Sequence, residues 1–568
     1  LIDQAYRNEN SRLGFYESQY KAIEEIEDQF GEMQGVTYES YLINLYNSVN
    51  ELAKNPTSTV ARSSLIQNAT AFIEKSENVY KGLKDYQTTL NTQVKNMVDS
   101  INKLGDKIYT LNKKISKIES TGIEDANDLR DERDAAIDEL SKYIDITYYE
   151  NDSKEVVISA EGIPFITMGE LAKMDTRVVE GTNLVIPTWP GYERDVYDLS
   201  TEASNVDDTD KGELKGLLIA RGNMVVDYTV VPEAPSSSDY DMSTADGRAA
   251  YQEAYNKYYK AQEYYNTYIE PSAILSAMAG FDKLVNGIVE KINNILCPEK
   301  SEVRNNPYMA PDGTEIQADI YTYNSVSQQV LFDRYGREVT GTDNGDGTYS
   351  FSSGEKLYMS FGGAEVPVDS YTYSMLDMDK TGYGMDDDKT VGTELFSRKG
   401  TDRYIKTTDD SGKTIYIRNN LNETDYESLY KLGNLQINPE AAQNVGKIPL
   451  STVQGKEDFD RAKELVDAWD EKFASLNPDT YAKSDFMTFY NNFIGEYATL
   501  GKALGNYVSN QTTMVDGYDN QRLQSEGVSS DEELEKMIKY QQAYNAASRY
   551  VNVVNQMLEH LVTSLGNA

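Results

Sequence analysis

The 568-residue chain has one cysteine, one histidine and no long apolar run. The cysteine, Cys297, cannot form an internal disulfide, and its apolar neighbours predict a small buried residue at a helix end. Because His560 is the only histidine, catalytic triads and multi-histidine zinc sites are largely excluded, and a solvated helix-face position is predicted for it. No stretch reaches the roughly 18 apolar residues that a membrane span requires.

Basic residues are also scarce, since 54 lysines and arginines face 93 aspartates and glutamates, for a net charge of −39. Such a surface repels nucleic acids and anionic membranes, so neither is predicted as a partner. The chain carries no P-loop and no Gly-x-Ser-x-Gly motif. We therefore predict no enzymatic activity and no cofactor, and favour a secreted or surface protein.

A heptad pattern is present and dominates the N-terminal half. Apolar residues recur every seven positions in one series: Leu83, Leu90, Met97, Leu104, Leu111 and Ile118. A second series, Val94, Ile101, Ile108 and Ile115, interleaves at spacings of three and four. The 36 residues predict a helical rod about 54 Å long, whose first series holds the helical core of the subunit.

A second heptad stretch closes the chain, at 537–565, and is the candidate partner for the rod. Its two series are Met537, Tyr544, Val551, Leu558 and Leu565, and Tyr540, Ala547, Val554 and Leu561. These nine residues are the predicted assembly interface. The alternative is that each heptad helix packs inside an ordinary helical domain.

Between these stretches the sequence predicts a multidomain α+β protein. An elongated helical, coiled-coil frame built from both chain ends carries inserted β-rich domains. The predicted divisions are a helical frame at 1–145, a small β-rich domain at 146–211, a helical segment with a tyrosine-rich insert at 212–299, an all-β outer domain at 300–432, the returning frame at 433–528 and the C-terminal heptad helix at 529–568. No repeat of the solenoid kind is found.

Four segments resemble the flagellar hook-associated protein 1 family, whose members join hook to filament in bacterial flagella. The first is Asn-Pro-Thr-Ser at 55–58 with Arg62, and the second is Asn127 to Asp134 with Glu-Leu-Ser at 139–141. The third is Gly-Glu-Leu-Lys-Gly-Leu-Leu at 212–218 with Ala-Arg at 220–221. The fourth is Gly-Val at 527–528 with Asp-Glu-Glu at 531–533 and Tyr-Gln-Gln-Ala-Tyr-Asn-Ala at 540–546. The second is the most specific, and its family-motif residues are Asn127, Asp128, Leu129, Arg130, Asp131, Arg133 and Asp134.

The resemblance implies a structural junction protein that is secreted through the flagellar export apparatus and assembles into a ring or layer. The implied partners are further copies of the chain, the hook protein, the second junction protein and an export chaperone at the C-terminal helix. The family's N-terminal segment before the first helices is missing, which predicts a trimmed chain. The packing partner of 537–565 therefore stays open between the rod, a neighbouring subunit and nothing ordered.

Two further sites have competing interpretations. The charges of 127–134 can pair within the chain and fix the end of the rod against the next helix, which we favour over a direct subunit contact because their i,i+3 and i,i+4 spacing allows local pairing. Asp377, Asp379 and Asp388 match calcium-loop positions in outline, but the absence of a closing glutamate and of flanking helices favours an acid-rich turn over a metal site.

Two functional hypotheses follow from different classes of protein. The first is the flagellar junction role that the resemblance implies. The second is a secreted surface adhesin that binds its target through the β domain at 300–432. An enzyme carried in that domain has the least support, because no convergent set of polar residues is visible there.

Overall fold

The computed structural model describes residues 2–31, 37–120, 125–419, 429–526 and 530–565. These ranges hold eleven α-helices: α1 (Ile2–Phe30), α2 (Tyr38–Lys54), α3 (Thr59–Glu119), α4 (Asn127–Tyr143), α5 (Glu213–Arg221), α6 (Ala245–Tyr268), α7 (Ala273–Leu296), α8 (Pro439–Gln443), α9 (Phe459–Asp467), α10 (Phe486–Glu526) and α11 (Ser530–Leu565). They also hold seventeen strands: β1 (Ile146–Glu150), β2 (Val156–Ala160), β3 (Ile163–Ile166), β4 (Asp175–Val178), β5 (Val185–Trp189), β6 (Arg194–Asp195), β7 (Glu299–Arg304), β8 (Ile320–Val326), β9 (Val330–Phe332), β10 (Glu338–Thr340), β11 (Thr342–Asp343), β12 (Tyr349–Ser353), β13 (Ser370–Leu376), β14 (Phe396–Arg398), β15 (Tyr404–Thr408), β16 (Thr414–Arg418) and β17 (Leu435–Ile437). The predicted multidomain α+β class is confirmed.

Helix α3 is the longest element and contains the predicted rod. The Ser58 hydroxyl accepts a hydrogen bond from Ala61 N at 3.3 Å and caps the helix start. The helix then runs for 61 residues, about 90 Å. The second heptad series faces inward along it, with Val94, Ile101 and Ile108 fully buried. Helices α2, α4, α5 and α7 pack along α3, so the frame is built around one continuous helix.

Helices α1 and α10 form the pairing of the two chain ends, and they run antiparallel. The rings of Tyr16 and Tyr507 stack at 5.0 Å, while Arg522 near the end of α10 binds Asp3 at the start of α1 at 2.9 Å. The C-terminal heptad helix α11 is exposed, so of the three partners left open for 537–565 the rod is excluded within the described residues. The face of α3 that was expected to receive that helix is covered by its own frame neighbours.

Two three-stranded sheets, β1–β2–β3 and β4–β5–β6, lie against α3 and are held there by three asparagines. The Asn102 side chain donates to Met174 O and accepts from Met174 N, both at 2.9 Å. Asn112 does the same with Val156, at 2.8 and 3.0 Å, and Asn91 bonds Asn183 O and Val185 N at 3.1 and 2.9 Å. Each side-chain amide thus bonds backbone N–H and C=O groups at the start of a strand, which would otherwise lie against α3 without a hydrogen-bond partner.

A seven-stranded antiparallel sheet, made of β7, β8, β11, β12, β13, β15 and β16, forms what we call the outer domain. It comprises residues 299–376 and 404–418. The stretch between, 377–403, returns to the frame, where β14 pairs with β17. The predicted stretch 300–432 is therefore not a continuous sheet domain, because Phe396 and its neighbours are buried in the core of the frame.

The outer domain contains a duplication that the sequence analysis missed. Residues 308–323 and 358–373 share Tyr-Met, Gly-x-Glu and Asp-x-Tyr-Thr-Tyr at a constant offset of fifty. The two copies pair about a local two-fold axis, with Tyr321 opposite Tyr371. Their hydrogen bonds are reciprocal, since Asp319 N donates to Thr372 O at 2.8 Å and Asp369 N donates to Thr322 O at 2.9 Å.

The frame and the outer domain have separate apolar cores. The core of the frame centres on α7 and includes an aromatic cluster in which Phe30, Phe281 and Phe493 meet edge to face at 5.0–5.4 Å. The core of the outer domain is built from the inward faces of its own strands, including Tyr323, Leu331 and Tyr373. Within the described ranges, no helix combines the length and apolarity needed to cross a membrane.

Candidate assembly interface

Helix α11 has a continuous apolar face that lies in solvent. In the first heptad series Met537, Tyr544 and Leu558 expose 58%, 75% and 54% of their surface, and Val551 is equally open. In the second series Tyr540, Ala547 and Leu561 are exposed, while Val554 is half-buried. The side chain of Leu565 lies outside the described residues. Among residues 531–564, therefore, the face predicted for assembly is not covered by the described part of this chain.

The exposed apolar surface of α11 is wider than the two heptad series. Tyr550 and Met557 precede two members of the first series and are 72% and 66% exposed. Their positions widen the apolar arc beyond the narrow seam of a two-stranded coiled coil. Contiguous exposed apolar surface of this kind marks an interaction site in a soluble protein.

The rod residues have the opposite environment. Leu83, Leu90, Leu104 and Leu111 are at most 8% exposed, and Met97 is half-buried against the frame. Ile118 differs from the expectation, because it is 36% exposed. It lies in the last turn of α3, where Ile115 instead packs with Ala126 in a small satellite cluster.

The arginines of the 127–134 segment bind across the fold instead of along their own helix. Arg130 binds Glu119 at the end of α3 at 2.5 Å and Glu150 of β1 at 2.9 Å. Arg133 is 2% exposed and binds Asn112 Oδ1 at 3.2 Å and Lys154 O at 2.9 Å. The expected pairing within the chain fits the ion pair of Arg130 with Glu119, which fixes the end of α3 against α4. The i,i+3 and i,i+4 pairs are not the contacts that these arginines make, because both side chains point toward α3 and β1.

The other residues of this segment lie toward the surface. Asn127, Asp128 and Asp131 are exposed, Leu129 packs against the Ile115 cluster, and Asp134 reaches Arg7 of α1 at 3.6 Å. The segment thus ties α3, α4, β1 and α1 together within one subunit. The hydrogen bond from Arg130 lowers the pKa of Glu119 to about 2, which keeps this carboxylate ionised.

Two other resembling segments also contribute a buried arginine. Arg62 donates to Pro56 O and to Ile448 O, both at 2.8 Å, and so joins the start of α3 to the returning chain. Arg221 donates to Asn91 Oδ1 at 2.6 Å and Val185 O at 2.8 Å. Burial lowers the pKa of each guanidinium to about 10. Both remain charged at neutral pH and bind mainly oxygen atoms of distant segments.

The segment that matches a calcium loop in outline has the hydrogen bonding of a turn at Asp377. Asp377 is almost buried, and its Oδ1 accepts from Asp379 N at 3.1 Å, as in an ordinary turn. Asp388 is exposed. Within the ranges that the structure describes, no three His, Cys, Asp or Glu side chains are grouped so that they could hold a metal ion. The acid-rich turn is the interpretation that fits this geometry.

Cys297 and His560 are placed at opposite extremes of exposure. Cys297 is fully buried at the C-terminal end of α7, and burial raises the pKa of its thiol to about 12. His560 is exposed on α11. Neither has the surroundings of an activated nucleophile or general base.

Comparisons with known proteins find flagellar proteins that are similar to this chain. Residues 23–230 match the family model for the flagellar hook-associated protein FlgK helical domain, and residues 519–564 match that for the flagellar basal body rod FlgEFG protein C-terminal region. Flagellar hook-associated protein 1 of Bacillus subtilis (strain 168) is 23% identical over 576 aligned residues, which cover 100% of this chain and 84% of that protein. The solved structure of the flagellar hook junction protein FlgK from Burkholderia pseudomallei aligns with 93% of this chain and 100% of that chain, at 14% identity and a TM-score of 0.48.

A long frame helix, antiparallel chain ends and a C-terminal helix of the flagellar rod type define an axial protein of the bacterial flagellum. Within that class the chain is similar to the flagellar hook-associated protein 1 family, as its motifs predicted. The family is a structural one. The alternative of a surface adhesin acting through the outer domain finds no support in these comparisons.

Proposed function

We propose that this protein is a non-enzymatic junction component of the bacterial flagellum that connects hook and filament and is required for filament assembly. The observation that carries the proposal is the uncovered apolar face of α11, together with the match of that region to a flagellar rod segment. Such a face is costly in a monomer and is stabilised when other subunits cover it.

We further propose that the nine predicted interface residues, Met537, Tyr540, Tyr544, Ala547, Val551, Val554, Leu558, Leu561 and Leu565, mediate this assembly. The partners are other copies of the chain, the hook protein on one side and the second junction protein on the other. The site of action is extracellular, in the flagellum. The net charge of −39 supports the expectation that neither nucleic acid nor membrane is a partner.

Gene deletion and complementation test the junction role. Cells that lack the gene are expected to make hooks without filaments in electron micrographs, and normal flagella would contradict the proposal. The deletion is then complemented with Leu558→Asp, which places a charge in the apolar face, and with Gln556→Asp, which places the same charge on the polar face of the same helix. Only the Gln556→Asp variant should restore filaments.

An export chaperone is the remaining proposed partner, and it is expected to bind α11 before assembly. A free helix with an exposed apolar arc is suited to capture by a helical groove. Pull-down of the chaperone by the full chain should be lost when 530–568 are deleted. Equal capture by both proteins would rule out this part of the proposal.

A further inference from the structure

The outer domain is attached to the frame at one end of its sheet. The chain enters β7 at Glu299 and leaves β13 at Leu376, and these two residues face each other in the sheet. It enters β15 at Tyr404 and leaves β16 at Arg418, which also face each other. Met375 of β13 pairs with Ile417 of β16, so all four chain crossings lie side by side.

A largely buried cluster of charges, which we call the Glu299 cluster, occupies this end of the sheet. Glu299 Oε1 accepts hydrogen bonds from Arg403 Nε at 3.1 Å, the Arg418 guanidinium at 2.9 Å and the Tyr404 hydroxyl at 2.9 Å. Burial acts to raise the pKa of Glu299, but the charges of Arg403 and Arg418 outweigh it and lower that pKa. The carboxylate is therefore ionised and binds two guanidinium groups at once.

Both arginines also contact helix α7 of the frame. Arg403 donates to Asn294 of α7 at 2.7 Å, and Arg418 lies 3.7 Å from Glu290 of α7. Beside them, the guanidinium groups of Arg403 and Arg418 lie 5.9 and 5.4 Å from the centre of the Tyr430 ring. The cluster thus joins the first strand of the outer domain to a helix of the frame through directional bonds.

Next to the cluster, a cavity of about 730 Å³ lies between the two bodies, and Arg418 and Tyr430 are among the residues that line it. Tyr228 and Glu290 line its frame side, and Ala318 and Arg337 line its outer-domain side. The apolar core of the outer domain is separate from that of the frame. A domain with its own core, attached at one end beside an open polar cleft, can change its angle without losing its fold.

We propose that the Glu299 cluster is the joint that sets the angle of the outer domain on the frame. Two arginines, Arg403 and Arg418, and two glutamates, Glu299 and Glu290, bind in fixed directions and hold this angle more narrowly than an apolar contact would. Loss of the Glu299 carboxylate leaves Arg403 and Arg418 buried next to each other without their shared partner. The outer domain then swings as one body about the four chain crossings.

The test measures the distance between the two bodies in the full chain. Spin labels are attached to Thr88→Cys on the frame and Thr340→Cys on the outer domain, both exposed positions, while native Cys297 is buried. In Glu299→Gln the width of the distance distribution should about double relative to the otherwise unchanged chain. Glu302→Gln is the matched control, because Glu302 lies on the same strand but accepts a hydrogen bond from Tyr308 inside the outer domain.

A folded Glu299→Gln chain whose distribution overlays that of the parent would overturn the proposal. Circular dichroism establishes whether the variant is folded. If it is not, Glu290→Gln decides, since it removes only the contact between Arg418 and α7. Glu290→Gln should broaden the distance distribution less than is expected for Glu299→Gln. An unchanged width in a folded Glu290→Gln chain would also overturn the proposal.

Discussion

Three buried arginines show how single residues organise this fold. Arg62, Arg133 and Arg221 are at most 2% exposed, and each binds oxygen atoms from segments distant in sequence. A guanidinium group has five donors in a rigid plane, so it can satisfy several buried carbonyl groups at once. In three of the four resembling segments, therefore, the arginine is a structural clamp within one subunit.

Replacement of Arg133 by methionine should lower the free energy of unfolding by about 3 kcal/mol, because buried oxygen atoms lose their donor. Urea unfolding followed by circular dichroism measures the change. Asp131→Asn, an exposed change on the same helix, should stay within about 0.5 kcal/mol of the parent. If Arg133→Met is as stable as the parent chain, the hydrogen bonds of the Arg133 guanidinium contribute little to stability.

The burial of Asp282 predicts that the free energy of unfolding depends on pH. It is fully buried on α7, where it accepts hydrogen bonds from Tyr228 N at 2.9 Å and Leu432 N at 2.7 Å, and burial raises its pKa to about 7. Because the folded-state pKa lies above the unfolded one, the contribution of Asp282 is fully present below about pH 4 and is lost as the pH rises through 7.

The unfolding free energy of the parent relative to Asp282→Asn should therefore fall between pH 4 and 7 by up to about 1.4 kcal/mol per pH unit. Urea titrations at several pH values measure this difference. Asp246→Asn, which removes an exposed carboxylate on α6, serves as the control and should show no such trend. If the difference in unfolding free energy between the parent and Asp282→Asn does not change with pH, the raised pKa of Asp282 is contradicted.

At the scale of elements, two heptad helices with the same pattern have opposite roles. Leu90 of α3 is 1% exposed, whereas Leu558 of α11 is 54% exposed. Leu90→Ala should cost about 2–5 kcal/mol of stability through lost burial and a cavity. Leu558→Ala should change the stability of the monomer by less than about 0.5 kcal/mol.

Equilibrium unfolding of dilute, monomeric protein compares these two variants directly. The substitution is the same and both residues belong to a heptad series, so the difference reports the tertiary environment alone. A large destabilisation by Leu558→Ala in the monomer would mean that α11 packs within its own subunit. The proposed assembly face would then have to be abandoned.

At the scale of the whole molecule, two apolar cores predict unfolding in more than one step. Leu331 belongs to the core of the outer domain and Leu284 to that of the frame, and both are fully buried. In differential scanning calorimetry, Leu331→Ala should lower the melting temperature of one transition and Leu284→Ala that of the other. A single transition that both variants shift equally would show that the two bodies unfold together.

Parts of this architecture could be read from sequence because they depend on local periodicity. The heptad series identified α3, and alternating residues bounded by turns identified strands such as β8 and β16. The limits of the outer domain could not be found in this way. Strand β14 looks like its neighbours in sequence, but it pairs with β17 on the frame, and strand pairing is a long-range choice.

For the candidate assembly interface, too, the sequence predicted the local pattern but not the long-range partner. The pattern of 537–565 indicated an apolar helix face, and that face exists, but the pattern left its partner open and the rod, one of the candidates, does not cover it. The charges of 127–134 were expected to pair within the chain and fix the end of the rod, which Arg130 does, but local spacing suggested partners in the same helix, whereas those of Arg130 and Arg133 lie on α3, β1 and the adjoining turn. Local spacing shows which charges can meet, and only the fold shows which partner is nearest and least solvated.

The sequence by itself determined the helix-forming segments, the acidic surface and the family, because these depend on residue types and short spacings. The tertiary structure alone decided that α10 pairs with α1, that α11 stays uncovered and that residues 377–403 leave the outer sheet. The physical reason is that an apolar stripe specifies burial but not its partner. The partner is set by which surfaces the whole chain can bring together at the lowest free energy.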